Sequence, residues 1–232
     1  MPNVKGHVML VVDESGSMSG RRSETVAGLN EFIEELRRET TVDYDFSLMF
    51  FDSDSGASRP GGVPGFRSRY FAEGLPLAEL YRPIELDDYK PSGGTPLFDA
   101  VQKGLGDLSR MVGDGERAVM VVFTDGEENA SREVRDFEAL RRAIAEKEAA
   151  GWRFVYIGVE LPQWASRSIA QGIGFTGATG AARFTGPSGS GRGVGQTINA
   201  YYTVSSSMSN TEFQAAINSN VAPVEDDAGK TS

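Results

Sequence analysis

Asp13, Ser15 and Ser17 alternate in the stretch Asp13-Glu14-Ser15-Gly16-Ser17-Met18, and two further polar groups hold Thr95 (Gly93-Gly94-Thr95-Pro96) and Asp125 (Thr124-Asp125-Gly126). All five offer oxygen. Carboxylates and hydroxyls are hard ligands, suited to Mg2+, Mn2+ or Ca2+. The alternation lets one tight loop turn the oxygens of Asp13, Ser15 and Ser17 inward, and Gly16 lets that loop bend sharply. Two carboxylates, Asp13 and Asp125, bring a divalent ion only to neutrality. With hydroxyls and water completing its shell, such an ion keeps its Lewis acidity. An Asp or Glu from a partner is then expected to replace a water and complete the site in trans.

These groups need a scaffold that ends buried strands side by side. His7 to Val12 and Ala118 to Thr124 are nearly continuous apolar runs. They read as strands buried on both faces, as in a parallel sheet. The first and third polar groups follow them directly. Val26, Leu29, Ile33 and Leu36 fall at helical spacing within Glu24 to Glu39, an amphipathic helix that packs on a sheet. Tyr44, Phe46, Leu48 and Phe50 alternate as a second strand. Further helices are expected at Pro96 to Val112, Asp136 to Ala149, Gln163 to Ala170 and Val194 to about Ser207. Further strands are expected at Arg153 to Val159 and Ala182 to Thr185. Ser53 to Gly65 reads as a loop, and Phe66 to Tyr89 as one short strand with a turn of helix. The run Gly189 to Gly195 lacks any phosphate-loop pattern and reads as a flexible loop. The alternation of strand and helix gives an α/β fold: a doubly wound, mostly parallel central sheet with helices on both faces. In such sheets ligands bind beyond the carboxyl ends of the strands. Residues 1–205 are assigned to one domain, and 206–232 to a C-terminal helix extension and a tail, disordered from about Val221.

The totals narrow the function. A chain of 232 residues is enough for one α/β domain with a buried core. The formal net charge of -10 does not invite nucleic acid or an anionic membrane. There is no cysteine, which removes disulfides, thiolate catalysis and zinc-thiolate sites. No apolar stretch approaches the roughly 20 residues of a membrane helix. The N-terminus lacks the pattern of a signal peptide, so a cytoplasmic location is expected, or a virion-associated one if the chain is phage-encoded. His7 is the single histidine. It stands about 20 Å from Asp13 along an extended strand, too far to act as a base there.

Asp-x-Ser-x-Ser at Asp13 to Ser17, followed by Thr95 and then Asp125, resembles the metal-ion-dependent adhesion site of von Willebrand factor A domains. The stretches DESGSM, GGTPLFDA and FTDGEEN resemble bacterial and phage members, over roughly residues 4 to 205. The resemblance implies a doubly wound sheet, Ser15, Ser17 and Thr95 as direct ligands, and Asp13 and Asp125 acting through water. It implies no catalysis, but Mg2+ (or Mn2+ or Ca2+) and a protein partner presenting Asp or Glu. That partner is open: a AAA+ ATPase of the MoxR type that this chain serves as an adaptor, or a phage or virion protein.

Structural readings stand beside these. Asp13 and Ser17 are also good caps for a following helix, and Thr95 with Pro96 is a common helix start. Glu14, Glu127 and Glu128 read as solvated rim charges. An Asp after the first strand also occurs in Mg2+-dependent phosphatases, but these need Asp-x-Asp, and Ser15 stands where the acid-base carboxylate is required.

Overall fold

The computed structural model describes residues 3–54, 56, 64–126, 128–134, 136–159, 163–175, 179–182, 190–203 and 208–220. Six strands form one sheet: β1 (Val4–Asp13), β2 (Val42–Ser53), β3 (Phe66–Pro76), β4 (Ala118–Thr124), β5 (Arg153–Val159) and β6 (Thr179–Ala182). Their spatial order is β3-β2-β1-β4-β5-β6. Only β3 runs antiparallel, against β2; the pairs β1–β2, β1–β4, β4–β5 and β5–β6 are parallel. The helices are α1 (Arg22–Arg38), α2 (Leu97–Met111), α3 (Phe137–Ala149), α4 (Gln163–Ile173), α5 (Ser190–Thr203) and α6 (Asn210–Asn220). The expected doubly wound α/β architecture is the one observed.

The pleat divides the core. Val8, Leu10 and Val12 of β1 and Val119, Val121 and Phe123 of β4 face one layer, completed by Leu29, Phe32 and Leu36 of α1 and Val194, Ile198 and Tyr202 of α5. Phe213 and Ile217 of α6 join that layer. Met9, Val11, Met120 and Val122 point to the other face, where Val101 and Leu108 of α2, Ile144 of α3 and Ala170 of α4 cover them. Because successive side chains of a strand face opposite ways, a central strand covered on both sides must be apolar throughout. Each such side chain contributes roughly 1.5–3 kcal/mol by leaving water.

Several expectations shift. Phe66 to Tyr89 holds an 11-residue edge strand and two 3₁₀ turns, not one short strand. Its signal is weak because β3 is half-exposed, with Gly74 and Pro76 inside it. The strand expected at Ala182 to Thr185 lies at Thr179–Ala182. The run Gly189 to Gly195 is not a loop throughout, since Ser190 onward opens α5. The reason is packing: a Cβ at Gly195 would stand 2.9 Å from the Glu35 Cβ and 3.3 Å from the Phe32 carbonyl oxygen. Glycine lets α5 press on α1, and that contact outweighs its poor helix propensity. A second helix, α6, occupies part of the assigned C-terminal extension. The tail from Val221 lies outside the described residues.

Candidate metal centre

Asp13 ends β1 and Asp125 follows β4, its neighbour. Between these strands the sheet order reverses direction, since β1 leads on to β2 on one side and pairs with β4 on the other. Here the connections leave a crevice at the carboxyl ends of the strands.

Asp13 is fully buried. Its Oδ1 accepts the Ser15 backbone N–H at 2.7 Å, and its Oδ2 accepts the Thr124 hydroxyl at 2.6 Å. Burial pushes its carboxyl up to about 6, despite the hydrogen bonds from Thr124 and Ser15 that pull it down; the nearby Asp125 charge adds to the rise. A cation beside it would offset that cost, because opposite charge favours the ionised form. The Ser15 and Ser17 hydroxyls lie 3.0 Å apart, and the Ser17 hydroxyl donates to Asp125 Oδ1 at 2.7 Å. The other Asp125 oxygen accepts from Arg21 Nη1 at 2.9 Å. Thr95 is buried, and its Oγ1 stands 3.5 Å from where a Cβ on Gly126 would project. The structure therefore links Asp13, Ser15, Ser17 and Asp125 in one cluster and sets Thr95 against the same loop.

The donor set fits a hard divalent ion. Adjacent ligands of a Mg2+ octahedron with bonds of about 2.0–2.1 Å stand about 2.9 Å apart, close to the Ser15–Ser17 and Ser17–Asp125 separations. Among the described residues no group of three or more His, Asp or Glu gathers to hold a metal. A cation here would rest on hydroxyls as much as on carboxylates.

Backbone bonds hold the loops in place. Gly16 N–H donates to the Gly93 carbonyl at 3.0 Å, and Ser92 N–H to the Glu14 carbonyl at 2.7 Å. Ser53 N–H donates to the Gly94 carbonyl at 3.1 Å, and Gly94 N–H to the Ser53 hydroxyl at 2.7 Å. Gly93 has φ +66, and a Cβ there would lie 2.0 Å from the Ser53 carbonyl oxygen. Only glycine allows this approach.

The capping readings fail here. Neither Asp13 nor Ser17 is a cap: Ser15 precedes the 3₁₀ turn Gly16–Arg21, which contains Ser17, and Arg21 precedes α1, neither with a side-chain cap bond. The cap of α2 is Pro96, not Thr95, and makes no such bond either. The first turn of α2 is satisfied from another loop, by Glu128 Oε2 on Phe98 N–H and Ser131 Oγ on Asp99 N–H. Glu14 and Glu128 are not solvated rim charges. Glu14 is buried and held by Arg69 and the Lys90 N–H, while Glu128 also accepts the Ala130 and Ser131 N–H groups. Both satisfy backbone donors that would otherwise be orphaned. Glu127 lies outside the described residues. His7 is structural, as expected: it is buried, with Nε2 2.7 Å from Glu116 Oε2.

Sequence reasoning missed the supports: Thr124 on Asp13, Arg21 on Asp125, and Asn129, whose Oδ1 accepts Thr95 N–H at 2.8 Å. It missed Asp99, whose carboxylate gathers the N–H groups of Arg132, Glu133 and Val134. An Asp in the first turn of an amphipathic helix was the available signal.

No family model and no curated protein matches the chain. Among solved structures it is similar to the pilus adhesin SpaC from Lactobacillus rhamnosus GG, with TM-score 0.52 and 15% identity over 94% of this chain and 30% of that one. It is similar to the PilB minor pilin from Streptococcus sanguinis, with TM-score 0.51 and 14% identity over 93% of this chain and 62% of that one. The vWF domain of the type V pili tip protein Mfa5 from Porphyromonas gingivalis aligns over 97% of this chain and 98% of that one, at 12% identity and TM-score 0.49. The chain thus spans less than two thirds of SpaC and of PilB. At such identities the likeness is one of fold. The likenesses to SpaC and PilB show that the chain shares with them its doubly wound α/β fold.

Proposed function

We propose that the chain is a protein-interaction module that binds a divalent cation, Mg2+ or else Mn2+ or Ca2+, at the tip of its sheet, and through it an Asp or Glu of a partner protein. The observation that carries this reading is the convergence of the Ser15, Ser17 and Asp125 oxygens at 3.0 and 2.7 Å. Ser15, Ser17 and Thr95 would hold the ion directly, with Asp13 and Asp125 behind them. Bound there, the ion would supply the positive charge that a partner's carboxylate needs. The chain's own residues do the rest: Thr124 and the Ser15 N–H hold Asp13, and Arg21 holds Asp125. Two fold neighbours are a pilus adhesin and a minor pilin, which favours an interaction role over an enzymatic one.

Calorimetric titration with Mg2+, Mn2+ and Ca2+ tests the reading on the wild type and on the Asp13→Ala/Ser15→Ala double variant. Binding by the wild type alone is expected. Equal binding by both, or by neither, sinks the metal site. Partner capture that survives EDTA sinks the metal-dependent interaction.

A further inference from the structure

A cleft of about 930 Å³ opens beside the metal centre, between β3 and the segment that leads to Gly93. It begins at Ser19, two residues beyond Ser17, and is lined by Arg22, Arg67, Arg69, Lys90 and Ser92. The acidic residues that balance these cations are unequally placed. Asp52 and Glu14 are only 2% and 5% exposed at their side chains, whereas Arg67 and Arg69 are 54% and 41% exposed. The charges of Asp52 and Glu14 thus lie behind Arg67 and Arg69, whose guanidiniums face water.

The guanidiniums are also oriented. Arg67 turns Nε and Nη2 to Asp52, and Arg69 turns the same two groups to Glu14. Arg22 places Nε and Nη2 on the carbonyls of Leu86 and Tyr89. In all three the Nη1 edge is outside these bonds. Arg69 further lies over the Phe50 ring, 4.4 Å from its centroid. Guanidiniums fixed in this way lose little freedom on meeting a planar anion, and carboxylates match their fork. The cleft sets four cations, Arg22, Arg67, Arg69 and Lys90, against four carboxylates, of which Glu14 and Asp52 are buried behind arginines, Asp88 is held by Arg82 and Asp87 is exposed.

We infer that this cleft binds carboxylates of an acidic peptide segment in the partner, alongside the acidic residue taken at the metal centre. The inference rests on the proposed function for its partner, but the cleft's own affinity for carboxylates requires no metal. Asp87, whose side chain is 98% exposed at the cleft wall, opposes such a ligand.

The test is fluorescence anisotropy with a labelled octaglutamate peptide, in Mg2+ and in EDTA. Arg22→Gln/Lys90→Gln is expected to weaken binding about five-fold in both buffers, the size of two exposed charge pairs, and Arg22→Lys to retain most of it. Lys90→Gln alone, which touches no internal bond of the side chain, reports the same direction should the double variant unfold. Asp87→Asn is expected to tighten binding about two-fold, and salt to weaken it. Binding unaffected by these variants, or no binding to the wild type, overturns the cleft. Binding sensitive to Arg22 and Lys90 but identical in Mg2+ and EDTA supports the cleft and counts against the metal-dependent function. Binding lost in EDTA but indifferent to the variants does the reverse.

Discussion

Gly93→Ala should disable the loop that carries Thr95, and its cost can be worked from the structure. A Cβ at this position would lie 2.0 Å from the Ser53 carbonyl oxygen and 3.0 Å from the Ser53 hydroxyl, on a backbone with φ +66. The left-handed conformation alone costs a residue with a Cβ about 1–2 kcal/mol. Relieving the overlap means withdrawing the loop from Ser53. That breaks the bonds from Ser53 N–H to Gly94, from Gly94 N–H to the Ser53 hydroxyl, and from Gly16 N–H to Gly93. At roughly 0.5–1.5 kcal/mol each, the total comes to about 3–6 kcal/mol. Gly115→Ala is the control, because Gly115 has φ +79 and nothing within 4 Å of an added Cβ. It should cost only the conformational part, about 1–2 kcal/mol. The loss of unfolded-chain entropy is common to both substitutions and cancels. Urea unfolding in EDTA measures the two on one scale, and calorimetry should show cation binding weakened only in Gly93→Ala. If Gly93→Ala proved no more destabilising than Gly115→Ala, the contact between this loop and Ser53 would not exist as described, and with it the placement of Thr95.

Ile144→Ala in α3 removes a fully buried side chain from the second core layer and should cost about 2–5 kcal/mol by chemical denaturation. Asp13→Asn should abolish detectable cation binding while leaving the urea midpoint in EDTA at pH 7.5 no lower than wild type, because a buried charge is removed with its shape retained; a clear fall in that midpoint would contradict the burial described. Asp107 is buried, which raises its carboxyl, but hydrogen bonds and charge from Lys103, Tyr70 and Arg110 more than offset this and hold it below the usual range. A depressed folded-state value stabilises the fold above the ordinary carboxylate value of about 4 and is lost as pH falls through the depressed one. Unfolding midpoints followed from pH 7 to pH 3 should therefore fall more steeply at the acid end in the wild type than in Asp107→Asn.

The parts of the fold legible in the sequence were those whose burial is uniform. Ala118–Thr124 and Arg153–Val159 are strands covered on both faces, and the apolar stretches Ala118 to Phe123 and Phe154 to Ile157 mark them. The candidate site was legible for a related reason: Asp13 and Asp125 are polar residues placed where such runs stop. What escaped depends on contacts between distant segments. Nothing local shows that Thr124 will meet Asp13, or that Glu128 will satisfy the start of α2. The length of β3 escaped because an edge strand buries only part of itself, and the start of α5 because its glycines are chosen by the neighbouring helix rather than by helix propensity.

The Tyr202 hydroxyl on α5 accepts from His7 N–H at 3.1 Å and lies 2.9 Å from the His7 carbonyl and 3.1 Å from that of Arg117. One phenol thus ties β1 to the residue before β4, from a position 195 residues along the chain from His7. Tyr202→Phe should cost about 1–3 kcal/mol, readable by urea unfolding. During synthesis, β1 emerges long before α5, which completes the cover of one of its faces. Closure over such separations is slow, and until α5 arrives, the layer of Val8, Leu10 and Val12 has α1 over it but not α5, and stays partly open to any other unfinished chain nearby. A polypeptide released before Tyr202 would therefore be expected in the aggregated fraction of a cell, whatever the stability of the finished domain.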